Sequence, residues 1–274
     1  KYTLNEKSNL RFSASQTITR PATIEISPIQ YISADCKVEK GNPELVDSQN
    51  WNYDLKYEWF PTNKEMIALG VFGKNIKNPI ERIFIAGAGG SGQLTTFDNS
   101  KSAVLYGAEF EVNVQLSRIS EILSNLSFGF NTSLLQTQVD VDYGNTSLEN
   151  EPTRDLQGAS KWLINSDLKY EFTLGKKIKN TTTLVYGVYG KRIYAVGGAG
   201  IDHIYEKPFH KLDFVWSSKL SNAIDVKFAV DNILNPQYQL ELGNNSKQSI
   251  IENSRILENY KRGTGFSLTV GYTF

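Results

Sequence analysis

The stretch Trp51-Asn52-Tyr53-Asp54-Leu55-Lys56-Tyr57-Glu58-Trp59 decides the fold: every odd residue is apolar or aromatic and every even one is charged or an amide. Successive side chains of a strand point to opposite faces, so this period of two gives one apolar face and one polar face. A helix would scatter both sets around its circumference. Trp51 and Trp59 lie on the apolar face, eight steps apart. At about 3.3 Å per residue and a tilt near 40° they stand roughly 20 Å apart along a membrane normal, close to the height of a lipid-facing apolar band between two interfacial aromatic girdles. Cross-strand aromatic pairs inside a soluble sandwich are the alternative.

The same alternation recurs on both sides. Upstream, Leu10, Phe12, Ala14 and Ile18 occupy even positions among mostly polar neighbours. Downstream, Tyr106/Ala108/Phe110/Val112/Val114/Leu116, Leu126/Phe128/Phe130, Trp162/Ile164/Leu168/Tyr170/Phe172 and, more weakly, Leu184/Tyr186/Val188 follow it. Leu212/Phe214/Trp216, Ile224/Val226/Phe228/Val230 and Phe266/Leu268/Val270/Tyr272/Phe274 complete the series, and with a less regular run from Met66 to Lys74 they predict about ten strands. Several sustain alternation for roughly 9 to 13 residues, the length of a tilted membrane-crossing strand rather than an ordinary globular one.

The connections sort by size. Roughly residues 20–49, 80–101, 139–158, 193–207 and 235–261 are long and rich in Gly, Asn and Ser. Between them fall short turns at Pro61-Thr62-Asn63-Lys64, near Ser117–Ser124, at Gly175-Lys176-Lys177 and at Ser221-Asn222. An outer-membrane barrel has short periplasmic turns and long outer loops, which explains the sorting. The expectation is an all-β, antiparallel up-and-down transmembrane β-barrel, with Phe274 at the periplasmic rim.

Composition narrows the classes. Among 274 residues, 29 Lys+Arg balance 29 Asp+Glu, which argues against a nucleic-acid partner. The aromatic share of 12% argues against long disorder. One cysteine, Cys36, and two histidines, His203 and His210, leave little for a metal centre. No run of about 18 uncharged apolar residues predicts a spanning helix, and the residues from Lys1 to Lys7 do not read as a signal peptide, so a processed or truncated chain is expected.

Other residues carry a resemblance. Ser15-Gln16-Thr17-Ile18-Thr19-Arg20-Pro21, Gly41-Asn42-Pro43-Glu44-Leu45 and the Trp51–Glu58 strand resemble the barrel of TonB-dependent outer-membrane receptors. Leu105-Tyr106-Gly107-Ala108-Glu109-Phe110-Glu111 is similar to that family's "YG.E.E" strand, and Val230-Asp231-Asn232-Ile233-Leu234-Asn235-Pro236-Gln237-Tyr238 to its "NLFN..Y" segment. Gly271-Tyr272-Thr273-Phe274 looks like its last strand with a terminal aromatic. The resemblance implies residues 1–274 as the C-terminal part of a larger barrel, with the plug domain and earlier strands absent. It also implies a Gram-negative outer membrane, contact with its lipid, coupling to the TonB complex through the missing plug, and Phe274 as the signal for the outer-membrane assembly machinery. Ten strands could form an open sheet or close into a narrower barrel.

Competing motifs are weak. Gly87-Ala88-Gly89-Gly90-Ser91-Gly92 matches a dinucleotide-binding fingerprint, but such a loop must open a helix, and Gln93-Leu94-Thr95-Thr96 is a poor helix start. Gly197-Gly198-Ala199-Gly200 reads likewise as loop. Glu109 and Glu111 share one face, as charges lining a water-filled lumen do. His203 and His210 lack a serine or acid at a telling spacing and read as exposed loop residues, and Cys36 reads as unpaired. No catalytic, cofactor or metal residues are expected.

Function is therefore expected to be TonB-dependent uptake of a scarce nutrient, not catalysis. Tyr31, Phe97, Tyr194 and Tyr238 are the candidate ligand-facing loop residues, although each could equally anchor its loop to the rim. A complete porin-like passive channel and a soluble adhesion sandwich are the other readings.

Overall fold

The computed structural model describes residues 1–33, 37–86, 93–141, 151–175, 177–198, 200–243 and 256–274. Ten long strands form a wall: β2 (Ser8–Thr19), β5 (Ser48–Trp59), β6 (Met66–Lys77), β9 (Ser102–Gln115), β10 (Leu126–Asp140), β12 (Trp162–Leu174), β13 (Ile178–Tyr189), β16 (His210–Lys219), β17 (Ile224–Asp231) and β20 (Gly265–Tyr272). They pair in chain order, each antiparallel to the next, and the short β1 (Tyr2–Asn5) and β11 (Thr153–Arg154) add to β2 and β10. The short turns fall at the expected places, and the sheet is the expected meander. Among the described residues β20 pairs only with β17, and β2 only with β5 and β1, so the wall is an open sheet. No described helix is long and apolar enough to cross a membrane; the crossing elements are strands.

Register turns the alternation into two surfaces. Across seven neighbouring strands, Val114, Phe128, Leu168, Leu184, Phe214, Val230 and Phe266 lie opposite one another as one apolar row. On the other face Glu58, Ala68, Glu111, Asn131, Asn165, Gly187 and Lys211 form a mostly polar row. A one-residue slip would exchange the faces, so register is strongly specified. The exposure pattern inverts that of a water-soluble protein: Trp51, Tyr53, Leu55, Tyr57 and Trp59 are exposed, while Glu58 on the same strand is buried. An apolar face this broad without a second layer is stable only against lipid, where the paired strands satisfy their backbone groups.

The irregular β6 has a physical reason. Its polar face carries Ala68 and Gly70 in place of long side chains, and Lys56 reaches over them to Glu111 with Nζ 2.7 Å from the carboxylate. Arg11 pairs with Glu58 at 2.8 Å on the same face.

The outer loops hold a second sheet, which the period of two in the sequence leaves as loop. Eight strands in the order β19-β18-β15-β14-β7-β8-β4-β3 make a cap: β3 (Gln30–Ile32), β4 (Val38–Lys40), β7 (Ile80–Ala86), β8 (Gln93–Asn99), β14 (Arg192–Gly197), β15 (Ile204–Glu206), β18 (Gln237–Leu242) and β19 (Ile256–Lys261). Each pair comes from one loop, and three ladders join the loops. β18 pairs antiparallel with β15, and β14 with β7 and β8 with β4 run parallel over two residue pairs each. The main apolar cluster lies here: Phe84, Ala195, Ile201, Ile204, Phe209, Tyr238 and Leu240.

Candidate functional site

Three polar groupings are built within the cap and where it meets the wall. The first spans six cap strands. Tyr31 donates its hydroxyl to Glu39 at 2.6 Å, and the Arg82 guanidinium stands 3.7 Å from the same carboxylate. Arg82 Nη1 and Lys37 Nζ both donate to the Tyr194 hydroxyl, at 2.8 and 3.0 Å, and Lys37 pairs with Glu258 at 2.6 Å. Arg82 also stacks over the Phe97 and Tyr194 rings, 5.7 and 5.4 Å from their centroids. Burial, then the hydrogen bond to Glu39, pushes the Tyr31 phenol up to about 12.

The second is a buried ion pair that ties β7 to residues 151–158. Arg154 donates from both terminal nitrogens to Glu81, at 2.9 and 2.7 Å, and both side chains are 2% exposed. Ser100 and the Gln157 backbone N–H add bonds of 2.8 and 3.0 Å to the Glu81 carboxylate, satisfying its remaining lone pairs. A cavity of about 430 Å³ adjoins it, lined by Asn50 from the wall and by Glu81, Arg82, Phe97 and Gln157.

The third is a cavity of about 370 Å³ between the polar face of β12, β13 and β16 and the cap. Glu206 in it receives Tyr189 at 2.7 Å and Arg192 at 2.6 Å, and Lys211, Phe209 and Arg262 complete its mouth.

The candidate loop aromatics separate accordingly. Tyr31, Phe97 and Tyr194 gather around Arg82. Tyr238 lies in the adjoining apolar cluster, 6.3 Å from Phe209. Phe97 and Tyr238 are each 6% exposed and Tyr31 and Tyr194 half-buried, so all four pack within the cap. Sequence reasoning passes over the charged residues of the three groupings, Glu39, Arg82, Glu81, Arg154 and Glu206. The signal that could find them is the period of two in Gln237-Tyr238-Gln239-Leu240-Glu241-Leu242 and the apolar run Ile83-Phe84-Ile85-Ala86, both inside segments assigned to loops. Phe274 lies beyond β20 and is fully exposed.

Other expectations find their place. His203 is not an exposed loop residue: it is 6% exposed and its Nδ1 accepts the Gly197 N–H at 2.9 Å, because the β14–β15 hairpin folds it under the cap. His210 stands at the start of β16, 2.7 Å from the Tyr186 hydroxyl. Residues 87–92 and Cys36 lie outside the described residues, as does Ala199. The first glycine-rich run is succeeded by strand β8, not by the helix that a dinucleotide site requires. Glu109 receives Ser133 at 3.2 Å and Glu111 receives Lys56, so each carboxylate has its own partner on the polar face.

No curated protein sequence matches the chain. Among solved structures it is similar to the copper transporter OprC, with 14% identity and a TM-score of 0.63 over 99% of this chain and 38% of that one. It is similar to the siderophore receptor PirA from Acinetobacter baumannii, with 14% identity and a TM-score of 0.59 over 99% of this chain and 40% of that one. The ferric enterobactin receptor PfeA from Pseudomonas aeruginosa gives 16% identity and a TM-score of 0.56, over 99% of this chain and 39% of that one. The chain thus spans about two fifths of the length of these proteins, and at such identities the likeness is one of fold. The family model described as "outer membrane protein beta-barrel family" matches residues 1–272, and with its lipid-facing antiparallel wall the chain belongs to that family, in the outer membrane.

Proposed function

We propose that the chain is the C-terminal part of the wall, with its outer cap, of a TonB-dependent receptor that takes up a scarce solute. The observation that carries this reading is the cap itself: loops from four hairpins are laced into one eight-stranded sheet above the polar face of the wall. A passive channel gains nothing from an ordered lid with buried ion pairs, whereas a receptor needs outer surfaces held in fixed positions to capture a dilute ligand. The open wall supports the same reading, since exposed strand edges are not tolerated in lipid and must be met by further strands. A complete ten-stranded channel would instead need β20 to pair with β1 or β2. The named transport proteins of similar fold favour uptake of a metal or a metal chelate.

The test is growth of a strain lacking the gene under limitation for single nutrients, with and without TonB. A defect on one solute that loss of TonB reproduces without adding to it is the expected result, and normal growth on every solute overturns the reading. In the same reading Phe274 marks the chain for the assembly machinery, and its deletion lowers the amount of protein in the outer membrane.

A further inference from the structure

The cavity between wall and cap is lined by an exposed arginine, Arg262, whose situation differs from that of the other described arginines. Arg11, Arg20, Arg82, Arg118, Arg154 and Arg192 each have a carboxylate within 4 Å. Among the described residues Arg262 has none. Its guanidinium lies instead over two aromatic faces, 4.4 Å from the Tyr238 centroid and 4.9 Å from that of Phe209. Stacking on a ring uses the face of the guanidinium and leaves its rim of N–H donors for an in-plane partner. The cavity it lines also contains Arg192 and Lys211 against one lining carboxylate, Glu206, and counting Asp213 beside Lys211 at 2.8 Å the neighbourhood is still one positive charge in excess.

The backbone around Arg262 is fixed by the Asp231–Tyr238 segment singled out in the sequence. Asn232 and Asn235 both adopt positive φ, 57° and 41°. The Asn232 amide donates to the Gly263 carbonyl at 2.7 Å, and the Gly263 N–H donates to Asn235 Oδ1 at 3.0 Å. Thr264 donates its hydroxyl to the Asn232 carbonyl at 3.1 Å. Gly263 itself has φ +87°, a conformation that disfavours side chains. The two asparagines clasp the Arg262-Gly263-Thr264 turn against the top of β17, so the stacked guanidinium keeps its place without an ion pair.

We propose that Arg262 is the anchor of an anion-binding subsite for the solute, taking a carboxylate or other anionic oxygen group, with Arg192 and Lys211 flanking it and the Asn232–Asn235 clasp positioning it. This rests on the uptake reading and names its substrate class. A planar oxyanion accepts two parallel N–H bonds from a guanidinium, which gives direction as well as attraction.

The experiment uses the full-length receptor purified in detergent, with citrate as the anionic probe and maltose as the neutral one, followed by titration calorimetry. Citrate is expected to bind and maltose not. Arg262→Gln weakens citrate binding about tenfold or more, Arg262→Lys weakens it less, and Asn232→Ala, which leaves every lining charge in place, weakens it in the same direction. Unchanged heat-modifiable migration on gels verifies that each variant is folded. Absence of citrate binding to the unaltered receptor, or equal binding by a folded Arg262→Gln variant, overturns the proposal. The two readings fail separately. Arg262-dependent citrate binding in a receptor whose deletion has no growth phenotype sinks uptake and keeps the subsite. A TonB-linked phenotype for a solute that the Arg262→Gln strain imports normally keeps uptake and sinks the subsite.

Discussion

The wall and the cap are built from the same backbone element under opposite rules. In the wall the large apolar side chains, such as Phe12, Leu69 and Leu268, are exposed and the charges face inward; in the cap Ile83, Val196 and Leu240 are buried to within 1% and form a conventional core. The wall owes its order to lipid and to long ladders, up to fourteen residue pairs between β9 and β10. The cap relies on packing and on ion pairs that bridge ladders only two pairs long. Perturbing charge pairs should therefore loosen the cap and leave the wall intact, and perturbing the lipid face should do the reverse.

The largest effect is expected at Arg154. Removing one partner of a fully buried pair leaves an uncompensated charge, which costs about 3–5 kcal/mol. Arg154→Ala should abolish hydrogen-exchange protection at the Gln157 and Arg82 N–H groups, both tied to this junction, while amides of β9 and β10 stay protected. Loss of protection in both regions would show that cap and wall are one cooperative unit. Next comes Leu184→Arg, in the middle of the apolar row, at about 2–4 kcal/mol if the site lies near the bilayer midplane. Its neighbour Thr183 lies on the opposite face, and Thr183→Arg should leave outer-membrane yield nearly unchanged. Equal losses from the two variants would contradict the assignment of faces.

The same division explains what could be read in the sequence. The wall was legible because lipid on one side and water on the other force strict alternation, so Trp51–Trp59 or Phe266–Phe274 announce both strand and face within a few residues. The cap strands are three to seven residues long and are stabilised by partners far away in sequence: Val196 pairs with Ile83, and Val38 with Leu94. No local period carries that information. Tyr31, Phe97 and Tyr194 were legible as loop aromatics, but not their gathering around Arg82, because it depends on two parallel ladders between separate loops. His203 was misjudged for a more local reason: the β14–β15 hairpin folds it back onto the Gly197 N–H, and no alternation in its immediate neighbours announces that hairpin.

A smaller effect in the cap tests whether its polar groupings are local. The raised Tyr31 phenol means that the Tyr31–Glu39 bond contributes fully below the ordinary tyrosine range and is lost as pH climbs through about 12. Tyr31→Phe leaves Glu39 with Arg82 and costs about 1.5–3 kcal/mol, the range of a hydrogen bond to a charged group. Ultraviolet titration should show one tyrosine fewer ionising near pH 12. An unaltered titration curve would assign that late ionisation to another phenol.

The smallest effect lies at the opposite end of the wall, where short turns have little core to pack. Glu65 in the β5–β6 turn receives Arg118 of the β9–β10 turn through two bonds of 2.7 and 2.6 Å, with Thr62 at 3.0 Å and the Gln115 N–H at 3.2 Å. These bonds, the Arg118 one foremost, outweigh burial and hold the carboxyl down to about 2 from an ordinary 4.5. A depressed carboxylate stabilises the fold fully above its ordinary value, and that contribution is lost as pH falls from about 4.5 through about 2. Arg118 is 54% exposed, so solvent screening keeps the contribution of the pair small. Protection of the Gln115 amide should therefore weaken as pH is lowered across that window, after correction for intrinsic exchange. In Glu65→Gln the amide side chain keeps an acceptor for Gln115 but does not titrate, so the corrected protection should be lower at neutral pH and flat across the window. A slope that survives the substitution would place the titrating group elsewhere and separate the strength of this turn from the charge on Glu65.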